Sequence, residues 1–138
     1  MKTKSNPVKI MICSSIKYFP LFNEIRKSLD GKYIVFLPLP DSELQTRMHL
    51  EGYNKLINNN FKKIKESDIC LFINPEKSLD PETDIYLGYA LANNKYCVAL
   101  EKDEMDTRQC LYTNTLRTSD PQEVLKSIDE LVKIYQLR

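Results

Sequence analysis

The sequence predicts an α/β fold in which helices cover both faces of a parallel sheet. Short apolar runs alternate along the chain with segments whose apolar residues recur at helical spacing, and this alternation is typical of parallel sheets with crossover helices. The chain has 138 residues, a suitable length for one domain. We therefore expect residues 1–138 to form a single domain.

Five runs are predicted to be strands, because each is apolar and bounded by turn residues. They are Val8–Cys13, Tyr33–Leu37, Ile69–Ile73, Tyr96–Leu100 and Gln109–Tyr112. The sequence therefore predicts a flavodoxin-like three-layer sandwich with a five-stranded parallel sheet.

Four helical segments are predicted between and after these strands. The first follows Pro20 and ends at Asp30–Gly31, the second runs from about Ser42 to Lys65 with Gly52 as a candidate point of division, and the third covers Tyr86–Asn93. The last helix has the start signals of Ser119 or Asp120 as cap, Pro121 at the first position and Glu123 in the first turn.

The composition indicates a globular protein of the cytoplasm. The formal net charge is +1, which gives no electrostatic case for nucleic acid or an anionic membrane as a partner. No apolar run approaches the roughly 20 residues that span a bilayer, and the polar stretch Met1–Lys9 lacks the apolar core of a signal peptide. The cysteines Cys13, Cys70, Cys97 and Cys110 lie in apolar runs, so we expect buried thiols rather than disulfides.

Several sites common in this fold class are absent from the sequence. The chain has 3 glycines and neither a G-x-G-x-x-G motif nor a Walker A loop. The segment Ser14–Tyr18, which follows the first predicted strand, is too apolar for the phosphate loop of a flavin site and has no Gly. Asn74 stands at the end of the third predicted strand, where a phosphoacceptor domain would have an Asp. We expect no cofactor and no metal.

The segment after the third predicted strand resembles a motif of the nucleoside 2-deoxyribosyltransferase family, roughly Asp-x-Gly-Thr-x-x-Glu-(Ile/Leu)-Gly-Tyr-Ala. Asp80, Thr83 and Leu87–Ala90 stand at the positions of the Asp, the Thr and the closing Leu-Gly-Tyr-Ala. The resemblance extends from Asn58 to Leu100, with Asn94–Lys95 in place of a Gly-Lys pair. It implies a flavodoxin-like fold with a nucleoside site at the carboxyl ends of the strands, where open α/β folds bind ligands.

The resemblance also implies a set of functional residues. Family members use a loop Asp, a helix Asp near the base and a Glu that attacks the anomeric carbon, much as retaining glycosidases do. The loop Asp is Asp80 here, but the helix Asp falls on Asn60 and the nucleophilic Glu falls on Tyr86. In the family a neighbouring subunit completes the site, which implies a homo-oligomer. The ligand-binding candidates are Ser14, Ser15, Asn60, Thr83, Gly88 and, for the neighbouring subunit's contribution, Asn114.

Two of the three expected carboxylates are thus replaced by neutral side chains. An Asn carries no carboxyl proton, although its amide can still bond the edge of a nucleobase. A Tyr has a reference pKa of about 10 against about 4.3 for Glu, so at neutral pH it is protonated and a poor nucleophile. We expect the standard transfer reaction to be lost.

Alternatives remain open for the neighbouring polar residues. Glu82 lies four residues before Tyr86, on the same face of a helix that starts early enough, and a Tyr–Glu pair resembles the nucleophile of sialidases. Glu82 or Asp84 can instead act as a displaced nucleophile or as a base that activates water, or both can simply favour a helix N-terminus. Ser14 and Ser15 either bond a ribose or phosphate or only complete a turn.

The sequence favours a deoxyribosyltransferase-like protein that binds a small-molecule nucleoside or nucleotide without the standard transfer. One alternative is an altered N-glycosidase that hydrolyses a nucleoside or nucleoside 5′-monophosphate, with Asp80, Tyr86, Glu82 and Asp84 as catalytic candidates. The other is a non-catalytic interaction protein that assembles with itself or with a partner.

Overall fold

A parallel sheet of five strands forms the centre of the computed structural model, which describes residues 7–38, 50–74, 81–101 and 115–135. The spatial order is β2-β1-β3-β4-β5, and all four pairings are parallel. The strands are β1 (Lys9–Ser14), β2 (Ile34–Phe36), β3 (Ile69–Asn74), β4 (Tyr96–Glu101) and β5 (Thr115–Thr118). This order is that of flavodoxin-like folds and confirms the predicted fold class.

Within the described residues, four α-helices cover the two faces of the sheet. Helices α1 (Phe19–Leu29) and α4 (Val124–Tyr135) pack on one face, while α2 (Leu50–Glu66) and α3 (Pro81–Ala92) pack on the other. The central strands are buried on both faces, which explains why they read as continuous apolar runs rather than as alternating ones. The three-layer arrangement agrees with the prediction.

Each of the two faces has its own apolar core. On the α1–α4 face, Ile10 and Ile12 of β1 contact a cluster that includes Phe22 and Ile128, all of them fully buried. The cluster on the α2–α3 face contains residues from β1, β3, β4 and both helices. Its buried members are Met11, Cys13, Ile64, Cys70, Phe72, Tyr86, Leu87, Ala90, Cys97 and Ala99.

Three of the four cysteines lie in this second cluster. Cys13, Cys70 and Cys97 are buried free thiols, as the apolar runs around them predict, and Cys110 lies outside the described residues. Burial raises the pKa of the Cys13 thiol, so it stays protonated and behaves as a small apolar side chain.

Local sequence signals set several helix ends. The Asp120 side chain accepts a 2.9 Å hydrogen bond from the Gln122 N–H and caps the 3-10 turn Pro121–Glu123 that leads into α4. Gly31 follows α1 with a φ of 90°, a conformation that glycine adopts without strain. Both ends lie where the sequence predicts them.

Helix α3 ends in a Schellman motif centred on Asn94. The Lys95 N–H bonds the Ala90 carbonyl at 3.0 Å and the Asn94 N–H bonds the Leu91 carbonyl at 3.1 Å, while Asn94 has a φ of 57°. Asn is the residue other than Gly that most readily adopts this left-handed conformation. Asn94 therefore takes the part that a glycine plays in the Gly-Lys pair of the resemblance.

Two helices differ from their predicted extents. Helix α3 begins at Pro81 rather than Tyr86, because Pro is favoured in the first turn and Glu82 and Asp84 complement the positive end of the helix dipole. Helix α2 continues through Gly52 without a break, since packing of its apolar face outweighs the roughly 1 kcal/mol that an interior Gly costs. The predicted residues 42–49 lie outside the described part of the chain.

Two further predictions concern the edge of the sheet and the membrane. The run Gln109–Tyr112 lies outside the described residues, and the fifth strand that the structure describes is Thr115–Thr118. Within the four described ranges, no helix has both the length and the apolar character that crossing a bilayer requires.

We expect Asn94→Gly and Asn94→Ala to change stability in different directions. Ala pays a steric penalty at positive φ, so the free energy of unfolding should fall by about 1 kcal/mol, while Gly should leave it unchanged or raise it slightly. Urea unfolding of both variants measures the difference. Equal losses for the two variants would contradict the role given to the backbone conformation here.

Candidate functional site

The carboxyl ends of β1 and β3 mark the point where the strand order reverses. Strand β1 is followed by β2 on one side of it, whereas β3 lies on the other side, and Ser14 pairs with Ile73 at this edge. In folds of this order the ligand crevice lies outside these two strand ends. Helix α3 starts just beyond the end of β3, so its first turns border this edge of the sheet.

A chain of hydrogen bonds joins α2 to the first turns of α3. The Asn60 Nδ2 group donates a 2.9 Å hydrogen bond to Tyr86 Oη, and Tyr86 Oη donates a 3.0 Å hydrogen bond to Glu82 Oε1. Asn60 and Tyr86 both have a relative exposure of 0%. These three residues are called the Asn60–Tyr86–Glu82 chain below, and they include both positions at which the resemblance implies a carboxylate.

Helix geometry and aromatic packing explain why these side chains meet. Glu82 and Tyr86 are four residues apart on α3, so they share one face, as the early start of the helix allows. Phe61 of α2 stacks on Tyr89 at a centroid distance of 4.3 Å and meets the Tyr86 ring edge-on at 6.0 Å. This packing fixes α2 against α3 and brings Asn60 to the Tyr86 hydroxyl.

The directions of these bonds show which atom of Asn60 has no hydrogen-bond partner among the described residues. The single hydroxyl proton of Tyr86 goes to Glu82, so Tyr86 Oη accepts from the amide nitrogen and orients the Asn60 side chain. Asn60 Oδ1 then remains buried, and no donor in the described part of the chain lies within hydrogen-bond distance.

The environment of Tyr86 opposes ionisation of its hydroxyl. Burial is the largest influence and raises the pKa of Tyr86, and the neighbouring Glu82 carboxylate raises it further because it repels a phenolate. The hydrogen bond from Asn60 acts in the opposite direction and does not compensate. The hydroxyl therefore stays protonated at neutral pH and is a weaker nucleophile than an exposed Tyr.

A small cavity opens between α2 and α3 beside the Asn60–Tyr86–Glu82 chain. Its volume is about 180 Å³, which is smaller than the roughly 300–1,000 Å³ of typical sites for drug-sized ligands. The described residues that line it are Leu56, Ile57, Glu82, Ile85 and Tyr86. The cavity thus has aliphatic walls and one carboxylate, and it has room for a single ring system rather than a complete nucleotide.

The other predicted site residues that the structure describes lie at the end of β1 and on α3. Ser14 is fully buried and its hydroxyl donates a 3.0 Å hydrogen bond to the Ser15 carbonyl, which completes the turn after β1. Thr83 is buried and Asp84 is half-buried in the first turn of α3. Gly88 lies on the exposed side of α3, where an added Cβ would meet nothing within 4 Å.

The structure therefore brings together three of the predicted residues, namely Asn60, Glu82 and Tyr86. Two others, Asp80 and Asn114, lie outside the described residues, so their roles stay predictions. Ser15 is half-buried beside Ser14, apart from the hydrogen bonds of the Asn60–Tyr86–Glu82 chain.

Sequence reasoning missed the aliphatic residues of the cavity. Leu56 and Ile57 precede Asn60 by one helical turn, so the 3- and 4-residue spacing that predicts the core of α2 also places them next to Asn60. Ile85, half exposed at 50%, precedes Tyr86 directly and carries no sequence signal for a ligand wall.

We expect Tyr86→Phe to lower the free energy of unfolding by about 1–3 kcal/mol, because it leaves Asn60 Nδ2 buried without an acceptor. In an Asn60→Leu background the same substitution should cost less, since no amide is left unpaired. Urea unfolding of the two single variants and the double variant gives the coupling energy. Equal costs of Tyr86→Phe in both backgrounds would show that the hydrogen bond contributes nothing.

Stability should fall at alkaline pH. The pKa of Tyr86 is higher in the folded protein than the value of about 10 for an exposed tyrosine, so the folded state holds a proton that the unfolded state releases once the pH exceeds about 10. This contribution is complete below pH 10 and is lost as the pH rises toward the raised pKa. Tyr33, which is buried against Asp129, has its pKa raised in the same direction.

The measurement is urea unfolding at several pH values from 8 upward, across the pH range in which tyrosine side chains ionise. We expect the decline above about pH 10 to be shallower in Tyr86→Phe and in Tyr33→Phe than in the wild type. A decline of the same slope in all three proteins would contradict the burial of these hydroxyls.

Several solved structures resemble this chain. A 2-deoxyribosyltransferase from Bacillus psychrosaccharolyticus superposes with a TM-score of 0.65 at 21% identity, over 85% of this chain and 90% of that one. A CMP N-glycosidase from Clostridium botulinum superposes with a TM-score of 0.63 at 20% identity, over 89% of this chain and 98% of that one. No family model matches the sequence, and no curated protein matches it.

The same fold also occurs in a protein with a different activity. A phosphoheptose isomerase from Francisella tularensis superposes with a TM-score of 0.57 at 15% identity, over 92% of this chain and 72% of that one. Similarity at these identities defines the fold and leaves the activity to the site residues. The resemblance drawn from Asn58–Leu100 is thus confirmed at the level of the fold, which this chain shares with 2-deoxyribosyltransferases and a CMP N-glycosidase.

Proposed function

We propose that this protein is a deoxyribosyltransferase-like protein that binds a nucleoside or nucleotide without the standard deoxyribosyl transfer. The observation that carries the proposal is the burial of Tyr86, at the position of the family's nucleophilic Glu, between the Asn60 amide and the Glu82 carboxylate. Structures of the same fold act on deoxyribosyl compounds and on CMP, which supports a nucleoside or nucleotide as the ligand class.

The loss of transfer follows from the chemistry of the two substituted positions. Displacement at an anomeric carbon needs an ionised, accessible nucleophile, whereas Tyr86 is protonated and its side chain is fully buried. The base must also receive a proton as it leaves, and the Asn60 amide has no acidic proton to give. General acid–base help alone is typically worth 10²–10⁴-fold, so losing both groups removes the reaction at any useful rate.

Binding is compatible with these changes. The cavity between α2 and α3 retains aliphatic walls that can cover the faces of a base, and Glu82 supplies a polar group at its side. A neutral Tyr86 and a neutral Asn60 also lessen the repulsion that extra carboxylates would exert on a 5′-phosphate. Assembly of several subunits and a cytoplasmic location are part of this proposal.

An altered N-glycosidase is the second candidate. The 3.0 Å bond from Tyr86 Oη to Glu82 Oε1 is the contact that a Tyr nucleophile with a carboxylate base requires. In that reaction Glu82 takes the phenol proton, the phenolate attacks the anomeric carbon, and the C–N bond breaks as Glu82 passes this proton to the leaving base. Glu82 then takes a proton from water, the hydroxide displaces the tyrosine oxygen from the sugar, and the proton returns to that oxygen. The raised pKa and complete burial of Tyr86 favour the binding protein over this enzyme.

Thermal unfolding in the presence of nucleosides, deoxynucleosides and their 5′-monophosphates tests the proposal. A ligand at about 100 times its Kd raises the free energy of unfolding by about 2.7 kcal/mol, which for a domain of this size shifts Tm by roughly 10 °C. We expect at least one compound to produce such a shift, and chromatography of the same samples to show no released base.

The double variant Asn60→Asp/Tyr86→Glu is the matched control, because it restores the two missing carboxylates at the positions of the resemblance. We expect base release from deoxynucleosides to rise by about 10²-fold or more over the wild type. Glu82→Gln added to this variant removes the repulsion between neighbouring carboxylates if the double variant is unstable. Released base with the wild type would favour the glycosidase, and no Tm shift with any compound would favour the non-catalytic interaction protein.

A further inference from the structure

The side chains at and beside the cavity between α2 and α3 direct their hydrogen-bond donors at one another. The Tyr86 hydroxyl proton is directed to Glu82, so it is not available to a ligand. The Asn60 amide nitrogen is directed to Tyr86, and the side-chain atom of Asn60 without a described partner is an oxygen. Among the described residues that line the cavity, Tyr86 thus holds its proton in an internal bond, and the Glu82 carboxylate is the charged hydrogen-bond acceptor.

Glu82 is the charged residue among the described residues that line the cavity. A carboxylate has two oxygens and about four acceptor positions, so it can accept a bond from Tyr86 and still accept another from a ligand. A carbonyl oxygen placed against it would be repelled, whereas an amino group would form a charge-assisted hydrogen bond. The site thus favours a ligand that presents a hydrogen-bond donor to Glu82 over one that presents an acceptor.

The cavity also limits the size and shape of what it holds. A volume of about 180 Å³ accommodates one flat ring system, with Leu56 and Ile57 on the α2 side and Ile85 on the α3 side as aliphatic walls. The sugar and any phosphate of a bound nucleoside would then lie outside it. The enclosed part of the ligand is consequently the base.

From these observations we infer that the cavity selects an aminated base, such as cytosine or adenine, over its oxo counterpart, uracil or hypoxanthine, and that Glu82 is the residue that reads the amino group. This inference rests on the proposed function, since it takes the ligand to be a nucleoside or nucleotide. It adds the chemical class of the base and the residue responsible for the choice.

Two matched ligand pairs test it by isothermal titration, namely cytidine with uridine and adenosine with inosine, each also as the 5′-monophosphate. A hydrogen bond to a charged group predicts that the aminated member of each pair binds about ten-fold or more tightly. Equal affinities within the pairs, or tighter binding of the oxo member, would overturn the inference while leaving the proposed function intact. Binding of none of the compounds would overturn both.

Glu82→Gln tests the residue assigned to the choice. An amide both donates and accepts, so the preference should shrink to about two-fold or less, chiefly through tighter binding of the oxo member. An unchanged preference in this variant would show that another group reads the base.

Two further variants locate the ligand and leave the hydrogen bonds of Asn60, Tyr86 and Glu82 unchanged. Ile85→Trp places a larger side chain at the half-exposed wall of the cavity and should weaken all nucleoside binding at least ten-fold. Ile134→Trp, at a 61% exposed position outside the cavity, is the matched control and should bind as the wild type does. Wild-type affinity in Ile85→Trp would place the base elsewhere.

Discussion

The placement of the Tyr86 hydroxyl between Asn60 and Glu82 is the constraint on which the chemistry of this protein depends. It fixes a large aromatic side chain inside the α2–α3 face, beneath the carboxyl edge of the sheet. Because the hydroxyl must stay protonated to donate to Glu82, our proposal assigns Tyr86 to packing and orientation rather than to attack on an anomeric carbon. The same two bonds set the direction of the Asn60 amide and so determine which polar atoms remain for a ligand.

The fold makes this constraint possible. Helices α2 and α3 both run back from the carboxyl edge of the sheet toward the next strand, so the middle of α2 meets the first turns of α3. Stacking of Phe61 on Tyr89 holds the two helices in contact, and Ile64 and Ala90 anchor them on the sheet below. The Schellman motif at Asn94 then turns the chain directly into β4.

Much of this could be predicted from the sequence, because burial of continuous apolar runs and standard helix signals leave local patterns. Strands β1, β3 and β4 and the cap at Asp120 lie within one residue of their predicted places. The pairing of Glu82 with Tyr86 follows from a four-residue spacing once α3 begins at Pro81. The edge strand Thr115–Thr118 has mostly polar residues, and such a strand gives no apolar run to detect.

The contact of Asn60 with Tyr86 could not be predicted, because the two residues are 26 positions apart and their meeting depends on how α2 packs against α3. The periodicity of each helix shows which face is apolar but not which residues oppose each other across the interface. The cavity could not be predicted for the same reason, since its walls combine residues of α2 with residues of α3.

A crystal structure of the protein with cytidine 5′-monophosphate would show whether Tyr86 keeps both hydrogen bonds while a nucleotide is bound. The proposed binding role predicts an intact glycosidic bond, the base between α2 and α3 against Ile85 and Glu82, and a Tyr86 hydroxyl still bonded to Asn60 and Glu82. Electron density joining Tyr86 Oη to the anomeric carbon, or Tyr86 rotated out with free base in the site, would contradict it and identify the protein as a glycosidase.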